Sequence, residues 1–223
     1  MSARDSVLGK IRASMGSPAS NDDRRKTVTD RLQAAPRGII PGRAQLPEAE
    51  QIDLFCTLAE KFGATLARVS GYADVAGEVS GYLRAHNLPA AIRMGADQRL
   101  QEAGWETEKN LEVRHGPSDG GDLAGVSHAT GGIAETGTVA MMSGQDNPTT
   151  INFLPEHHII VIKAADIRGD MESVWTMVRE KQGKGEMPRA LNLITGPSRS
   201  GDIEQTILLG AHGPRALHVI VVE

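Results

Sequence analysis

At 223 residues the chain can build one full hydrophobic core. Its formal net charge of −4 supplies no clustered basic face of the kind that nucleic acid requires. Aromatic residues make up 3%, so stacking platforms for bases or flavins are scarce and the core must be aliphatic and Met-rich. The single cysteine, Cys56, excludes an internal disulfide and cannot by itself ligate an iron–sulfur cluster.

The first residues, Met1-Ser2-Ala3-Arg4-Asp5-Ser6, lack the apolar core of a signal peptide. No later apolar run approaches the roughly 20 residues that span a bilayer. The expectation is a cytoplasmic protein with no membrane span. Residues 2–15 place Val7, Leu8 and Ile11 at helical spacing among charged neighbours, which predicts an amphipathic helix. A Gly/Ser/Pro break follows, then a very polar helix over residues 22–35 whose large apolar anchors are Val28 and Leu32. Residues 1–45 therefore read as an N-terminal helical arm, and residues 46–223 as the main domain.

Pro47 suits a helical first turn, and Ile52, Phe55, Cys56, Ala59 and Phe62 recur at helical spacing before Gly63. That stripe makes Cys56 a buried structural residue rather than a reactive one. Strands are predicted over 64–69, 89–94 and 111–115, with helices over 74–86 and 97–103 between them. The segment 116–132, rich in Gly, Ser, Asp and Thr, reads as an irregular approach to a loop. Further strands are expected at 138–143, 158–162, 189–194 and 217–222, with helices at 166–182 and 202–208. Such alternation predicts an α/β fold: an open, mainly parallel sheet joined by right-handed crossovers and flanked by helices on both faces. His157 and His158 are adjacent in a strand, so they face opposite ways and cannot serve one metal together; no metal site is expected.

Two loops carry the chemistry. Gly131-Gly132-Ile133-Ala134-Glu135-Thr136-Gly137-Thr138 sets one carboxylate among glycines and hydroxyls, then enters an apolar strand. Thr195-Gly196-Pro197-Ser198-Arg199-Ser200-Gly201-Asp202 is a turn of small polar residues at the carboxyl end of a strand, where ligands collect in open α/β sheets. Glu135 is a candidate general base or nucleophile; the alternative is a carboxylate that accepts backbone N–H bonds and holds its loop closed. Thr136, Gly137, Thr138, Thr195, Gly196 and Ser198 offer hydroxyls and backbone N–H groups to an anion. Arg199 suits a bidentate clamp on a carboxylate or phosphate, or an ion pair with Asp202 or Glu204. His212, on a later turn, is either a proton carrier or a turn-stabilising hydrogen-bond partner. Glu135 and Arg199 are expected to meet at one rim of the sheet.

Three ordered motifs resemble the LUD-domain family, within it the lactate utilisation protein C branch: Ile133-Ala134-Glu135-Thr136-Gly137-Thr138, the segment from Thr195 to Glu204, and Leu209-Gly210-Ala211-His212-Gly213-Pro214-Arg215-Ala216-Leu217-His218-Val219. The likeness covers residues 51–223, with Ser200-Gly201 where the family more often has Thr-Ala. It implies a NagB/RpiA/CoA-transferase-like fold. It also implies a place in an L-lactate-oxidising complex that feeds electron transport and converts lactate to pyruvate. The chain would act beside iron–sulfur partner subunits, binding no cofactor itself, as a non-catalytic or accessory component with a possible small carboxylate ligand. The alternative is a stand-alone enzyme that uses Glu135 on an anionic small molecule, as fold relatives do.

Overall fold

The structure is a computed structural model that describes residues 3–15, 21–183, 185–201 and 207–223. It divides into two units, Met1–Ile39 and Ile40–Glu223. The first holds helices α1 (Ala3–Ser14) and α2 (Asn21–Ala34). Neither buries a large apolar side chain: Val7, Ile11, Val28 and Leu32 are all exposed. Residues 16–20, the expected break between the helices, lie outside the described residues.

In the second unit the chain runs through α3 (Glu48–Lys61), β1 (Thr65–Val69), α4 (Val75–Ala85), β2 (Ala91–Met94), α5 (Gln98–Gln101) and β3 (Glu112–His115). Then come β4 (Ala124–His128), β5 (Gly131–Ile133), β6 (Thr138–Met142), β7 (His157–Lys163) and β8 (Ile167–Arg168). The chain closes with α6 (Met171–Gln182), β9 (Leu191–Ile194), β10 (Arg199–Gly201), β11 (Ile207–Leu209) and β12 (Ala216–Val222).

Six strands form a wholly parallel sheet in the order β1-β12-β7-β4-β2-β3. Two of its interior strands, β7 and β12, are continuous apolar runs because both faces are covered. On one face Ile159, Val161, Ile220 and Val222 pack with Val75, Val79 and Leu83 of α4. On the other, Ile160, Ile162, Val219 and Val221 meet Ile52, Phe55, Cys56 and Ala59 of α3. The same cluster takes in Val139, Met141 and Ile167 from a second sheet of order β8-β5-β6-β9, in which β6 runs antiparallel to both neighbours. The parallel α/β sheet flanked by helices is thus present, and a smaller mixed sheet shares one of its faces.

Three departures from the sequence expectations matter. The segment 116–132, expected to be irregular, contains β4 and β5, and all residues of both strands are buried. Gly125 makes this possible, since a Cβ there would stand 2.7 Å from Ile151 Cγ2 and 2.9 Å from Pro155 Cγ. The helix expected from 166 begins at Met171, after a short strand. The helix expected over 202–208 is not formed at its described end: Ile207 and Leu208 belong to β11, which pairs antiparallel with β10. Residues 202–206 lie outside the described residues.

Candidate functional site

The first loop extends β5. Ala134 N–H donates to Arg168 O at 2.8 Å and Glu135 N–H to Gly169 O at 3.0 Å, so the ladder begun by β5 and β8 continues into the turn. Gly137 then reverses the chain at φ 63°. A Cβ at that position would lie 2.5 Å from Ala59 N and 2.6 Å from Leu58 C, so only glycine lets the loop rest on α3. The half-buried Glu135 reaches the start of α6, where its Oε1 accepts from Met171 N–H at 3.1 Å. Asp170 caps the same end, taking Ser173 N–H at 2.8 Å and Ser173 Oγ–H at 2.7 Å. Two carboxylates thus sit at the positive end of the α6 dipole. One Glu135 oxygen is spent on the scaffold. The side chain still lines a cavity of about 570 Å³ together with Arg43, Lys61, Thr136, Thr138 and Thr195.

The second loop rests on the same helix. Gly196, at φ 69°, has no room for a Cβ, which would overlap Phe62 O. Arg199 Nη2–H donates to that carbonyl at 2.9 Å. Phe62 is the C-cap of α3, so the guanidinium satisfies a terminal carbonyl at the negative end of the helix dipole. Asp202 and Glu204, the expected alternative partners, lie outside the described residues. Ser198 N–H donates to Pro214 O at 2.8 Å and Gly210 N–H to Ser198 O at 3.0 Å, which ties the loop to the chain entering β12. Gly196, Ser198, Arg199 and the exposed His212 line a second cavity of about 270 Å³.

Glu135 and Arg199 therefore line different cavities rather than one shared rim. What joins the two is a row of hydroxyls. Thr136 Oγ1 lies 2.8 Å from Thr138 Oγ1, which lies 2.6 Å from Thr195 Oγ1. Thr195 and Leu193 face both cavities. Nor does the second cavity follow the carboxyl-end expectation. β9, which delivers Thr195, belongs to the mixed sheet, and the cavity opens beside Leu217 and His158 at the amino ends of β12 and β7.

Sequence reasoning missed the floor of this cavity. His158 and Asn152 line it and are 0% and 1% exposed. Burial pushes the His158 imidazole down to about 3, so it is neutral at physiological pH. Its Nε2 lies 3.1 Å from Ser127 Oγ, and the Ser127 hydroxyl donates to Asn152 Oδ1 at 3.4 Å. Among the described residues, His158 Nδ1 and Asn152 Nδ2 have no hydrogen-bond partner. As expected, His157 faces the other way, with its Nδ1 2.9 Å from Tyr82 Oη. A polar residue opening an otherwise apolar buried strand was the one available signal.

A second buried polar group lies at the carboxyl ends of the parallel strands. Tyr72 O–H donates to His128 Nε2 at 2.8 Å, because His128 Nδ1–H is given to Ala129 O at 2.7 Å. Burial brings that imidazole down to about 4. Arg99 pairs with Asp97 nearby through Nε and Nη2, at 3.0 and 2.7 Å. Every polar atom named in this group has its partner, which marks it as structural. Among the described residues no group of three or more His, Cys, Asp or Glu side chains is placed to hold a metal ion, and no helix is long and apolar enough to cross a membrane.

Comparison with known proteins places this geometry in context. Over 93 residues the chain is 38% identical to Lactate utilization protein C of Geobacillus sp. (strain WCH70), covering 41% of this chain and 39% of that protein. Over 91 residues it is 34% identical to Lactate utilization protein C of Shouchella clausii (strain KSM-K16), covering 41% and 40%. The match thus spans about two fifths of the length of these relatives. Similarity to the uncharacterized protein YkgG of Escherichia coli (strain K12) is lower and longer: 26% identity over 190 residues, 79% of this chain and 82% of that one. The crystal structure of a duf162 family protein from Deinococcus radiodurans shares the fold, with a TM-score of 0.56 and 24% identity, covering 80% of this chain and 99% of that one. The family model of the LUD domain matches residues 57–222, and the chain belongs to the LUD domain family.

Proposed function

We propose that this chain is an accessory component of an L-lactate utilisation system, acting in the cytoplasm beside iron–sulfur partner subunits that carry the electrons from lactate oxidation. The observation that supports this reading is the 34–38% identity shared with proteins named lactate utilization protein C. The chain's one cysteine, Cys56, is buried in the α3 stripe, so in this reading every cluster ligand comes from the partners. The part left to this chain is to hold a small carboxylate. Arg199 would present a guanidinium to it, and Thr195, Gly196 and Ser198 would add a hydroxyl or backbone N–H. The test is lactate-dependent dye reduction reconstituted from the partner subunits with and without this chain. A rate that depends on its addition supports the proposal, and identical rates refute it.

One observation favours a second reading, a stand-alone enzyme acting on an anionic substrate. Arg43 and Lys61 line the same cavity as Glu135, so a bound anion would meet two cations beside a carboxylate. Turnover by the isolated chain, lost in Glu135→Gln at unchanged melting temperature, would establish it. Absence of turnover across carboxylate, phosphate and thioester substrates would remove it.

A further inference from the structure

The cavity that holds Glu135 has walls that are mostly aliphatic. Leu54, Leu58 and Lys61 follow one another at i, i+4 and i+7 along α3, so they share a face beside the stripe that packs on the sheet. Phe62 continues that wall, Met171 comes from the start of α6, and Leu193 from β9. Phe62, Met171 and Leu193 are 39%, 37% and 41% exposed. Apolar side chains exposed singly are ordinary, but five around one concavity of about 570 Å³ mark a binding surface.

The charged groups on the same walls say what kind of guest it takes. Arg43 and Lys61 are exposed, and among the described residues neither enters an ion pair. Lys61 lies at the carboxyl end of α3, where the helix dipole ordinarily accounts for a cation, yet the Arg199 guanidinium already serves the Phe62 carbonyl there. Among the described residues Glu135 is the one acid on the lining, and its Oε1 is held by Met171 N–H. Two cations and one carboxylate leave the cavity with a single excess positive charge, which suits a monoanion better than a phosphate dianion.

We propose that this cavity binds a straight-chain aliphatic carboxylate, its chain against Leu54, Leu58, Phe62, Met171 and Leu193 and its charged end toward Arg43 and Lys61. Such a guest covers the aliphatic wall and leaves its carboxylate in reach of water and the two exposed cations. It differs from lactate in having a chain to bury, so the two cavities take different acids. The proposal deepens the second reading above by naming the anion that the Glu135 cavity takes, and it requires no turnover.

The test titrates the full-length chain at pH 7 by calorimetry with acetate, butanoate, hexanoate and octanoate, each below its micellar range. In parallel, the Met171 methyl group is followed in a 13C-methyl-methionine sample, assigned with Met171→Ser. Affinity is expected to rise roughly threefold per added methylene. Octanoate should move the Met171 resonance, which acetate leaves in place. Met171→Ser should weaken octanoate roughly fivefold by removing part of the aliphatic wall. Lys61→Gln should weaken it about threefold, the worth of one exposed ion pair, and leave octanol binding unchanged. Both side chains are exposed; should either variant fail to fold, the chain-length series and the Met171 signal of the native chain decide. An affinity indifferent to chain length overturns the proposal, as does octanol binding as tightly as octanoate or octyl phosphate binding more tightly. So does a Met171 resonance that no acid moves, which would mean that the groove is covered by a second copy of this chain or takes no aliphatic guest. If octanoate binds as described and no substrate turns over, the enzyme reading falls and this site stands. If the isolated chain turns over a short anion while affinity ignores chain length, the enzyme reading stands and this site falls.

Discussion

The guanidinium of Arg199 closes the C-terminus of α3 by donating to Phe62 O at 2.9 Å. The helix that carries this contact also carries the first loop through Gly137, so the C-terminal turn of α3, from Leu58 to Phe62, sets the position of both candidate loops. Removing the guanidinium therefore does two things. Arg199→Ala should lower stability by about 1 kcal/mol, the worth of one exposed hydrogen bond at a helix end, and should weaken carboxylate binding. Arg199→Lys keeps the charge and should recover most of the stability but not a bidentate clamp. Thermal melts beside calorimetric titration separate the two. Equal carboxylate affinity in wild type and Arg199→Ala would remove Arg199 from the binding role.

Gly137→Ala should be far more damaging than a surface Gly→Ala change. The residue sits at φ 63°, and its new methyl group would lie 2.5 Å from the Ala59 backbone nitrogen. The left-handed backbone and the overpacking together should cost roughly 2–4 kcal/mol. A drop of roughly 5–15 °C in melting temperature is expected for a domain of this size. A shift below 2 °C would show that the loop does not rest on α3 as described.

Glu135 distinguishes scaffold from catalyst by the size of its effect. As a cap on α6, Glu135→Ala should cost about 0.5–1 kcal/mol, and Glu135→Gln less, since the amide oxygen still accepts from Met171 N–H. As a catalytic base, Glu135→Gln would abolish turnover at unchanged stability. Melting curves of both variants, read beside any activity found, assign the role.

Acid should destabilise the protein well above the ordinary carboxylate range. Burial holds His128 and His218 at about 4 and His158 at about 3, against about 6.5 when unfolded. Below pH 6.5 the unfolded chain takes up protons that these folded imidazoles refuse. Stability is therefore full above pH 6.5 and falls as pH drops toward 4, by about 1 kcal/mol per pH unit for each histidine. At His218 the neighbouring His86 adds to the effect of burial. Melting temperature measured from pH 8 to pH 4.5 should be level above 6.5 and decline below it. A level profile down to pH 5 would contradict the buried neutral state.

Cys56 should be silent. It is 9% exposed, and burial pushes its thiol up to about 11, so little thiolate exists at neutral pH. A disulfide reagent should label it in denaturant and leave it essentially untouched over minutes in buffer. Rapid labelling of the native chain would show that the α3 stripe is not packed on the sheet.

How much was legible in the sequence follows from where the signal is local. β7 and β12 announce themselves as apolar runs, and the stripe of α3 is readable from its period. β4 is not, because Ala124, Gly125, Val126, Ser127 and His128 look like a loop. The strand is made by what packs on Gly125 and by what hydrogen-bonds Ser127 and His128, all of it distant in sequence. β10 falls in the segment that reads as a turn and β11 at the end of the expected helix, since a short run of Ile and Leu carries no decisive period. The two small-residue loops were found by composition. Their separation into two cavities was not, because nothing local says that β6 and β9 leave the parallel sheet to pair with each other. The His158–Asn152 floor joins a strand to a short turn and was invisible for the same reason.

The threonine row between the cavities has an orientation as well as a position. Thr138, buried in the middle, has one proton to give, so the row runs either from Thr136 to Thr195 or back again. In the first sense Thr195 ends with a proton to offer and Thr136 with a lone pair; in the second the ends exchange. A guest that takes a proton from Thr195 thereby turns Thr136 into an acceptor in the neighbouring chamber, and the polarity of one chamber is written by the occupant of the other.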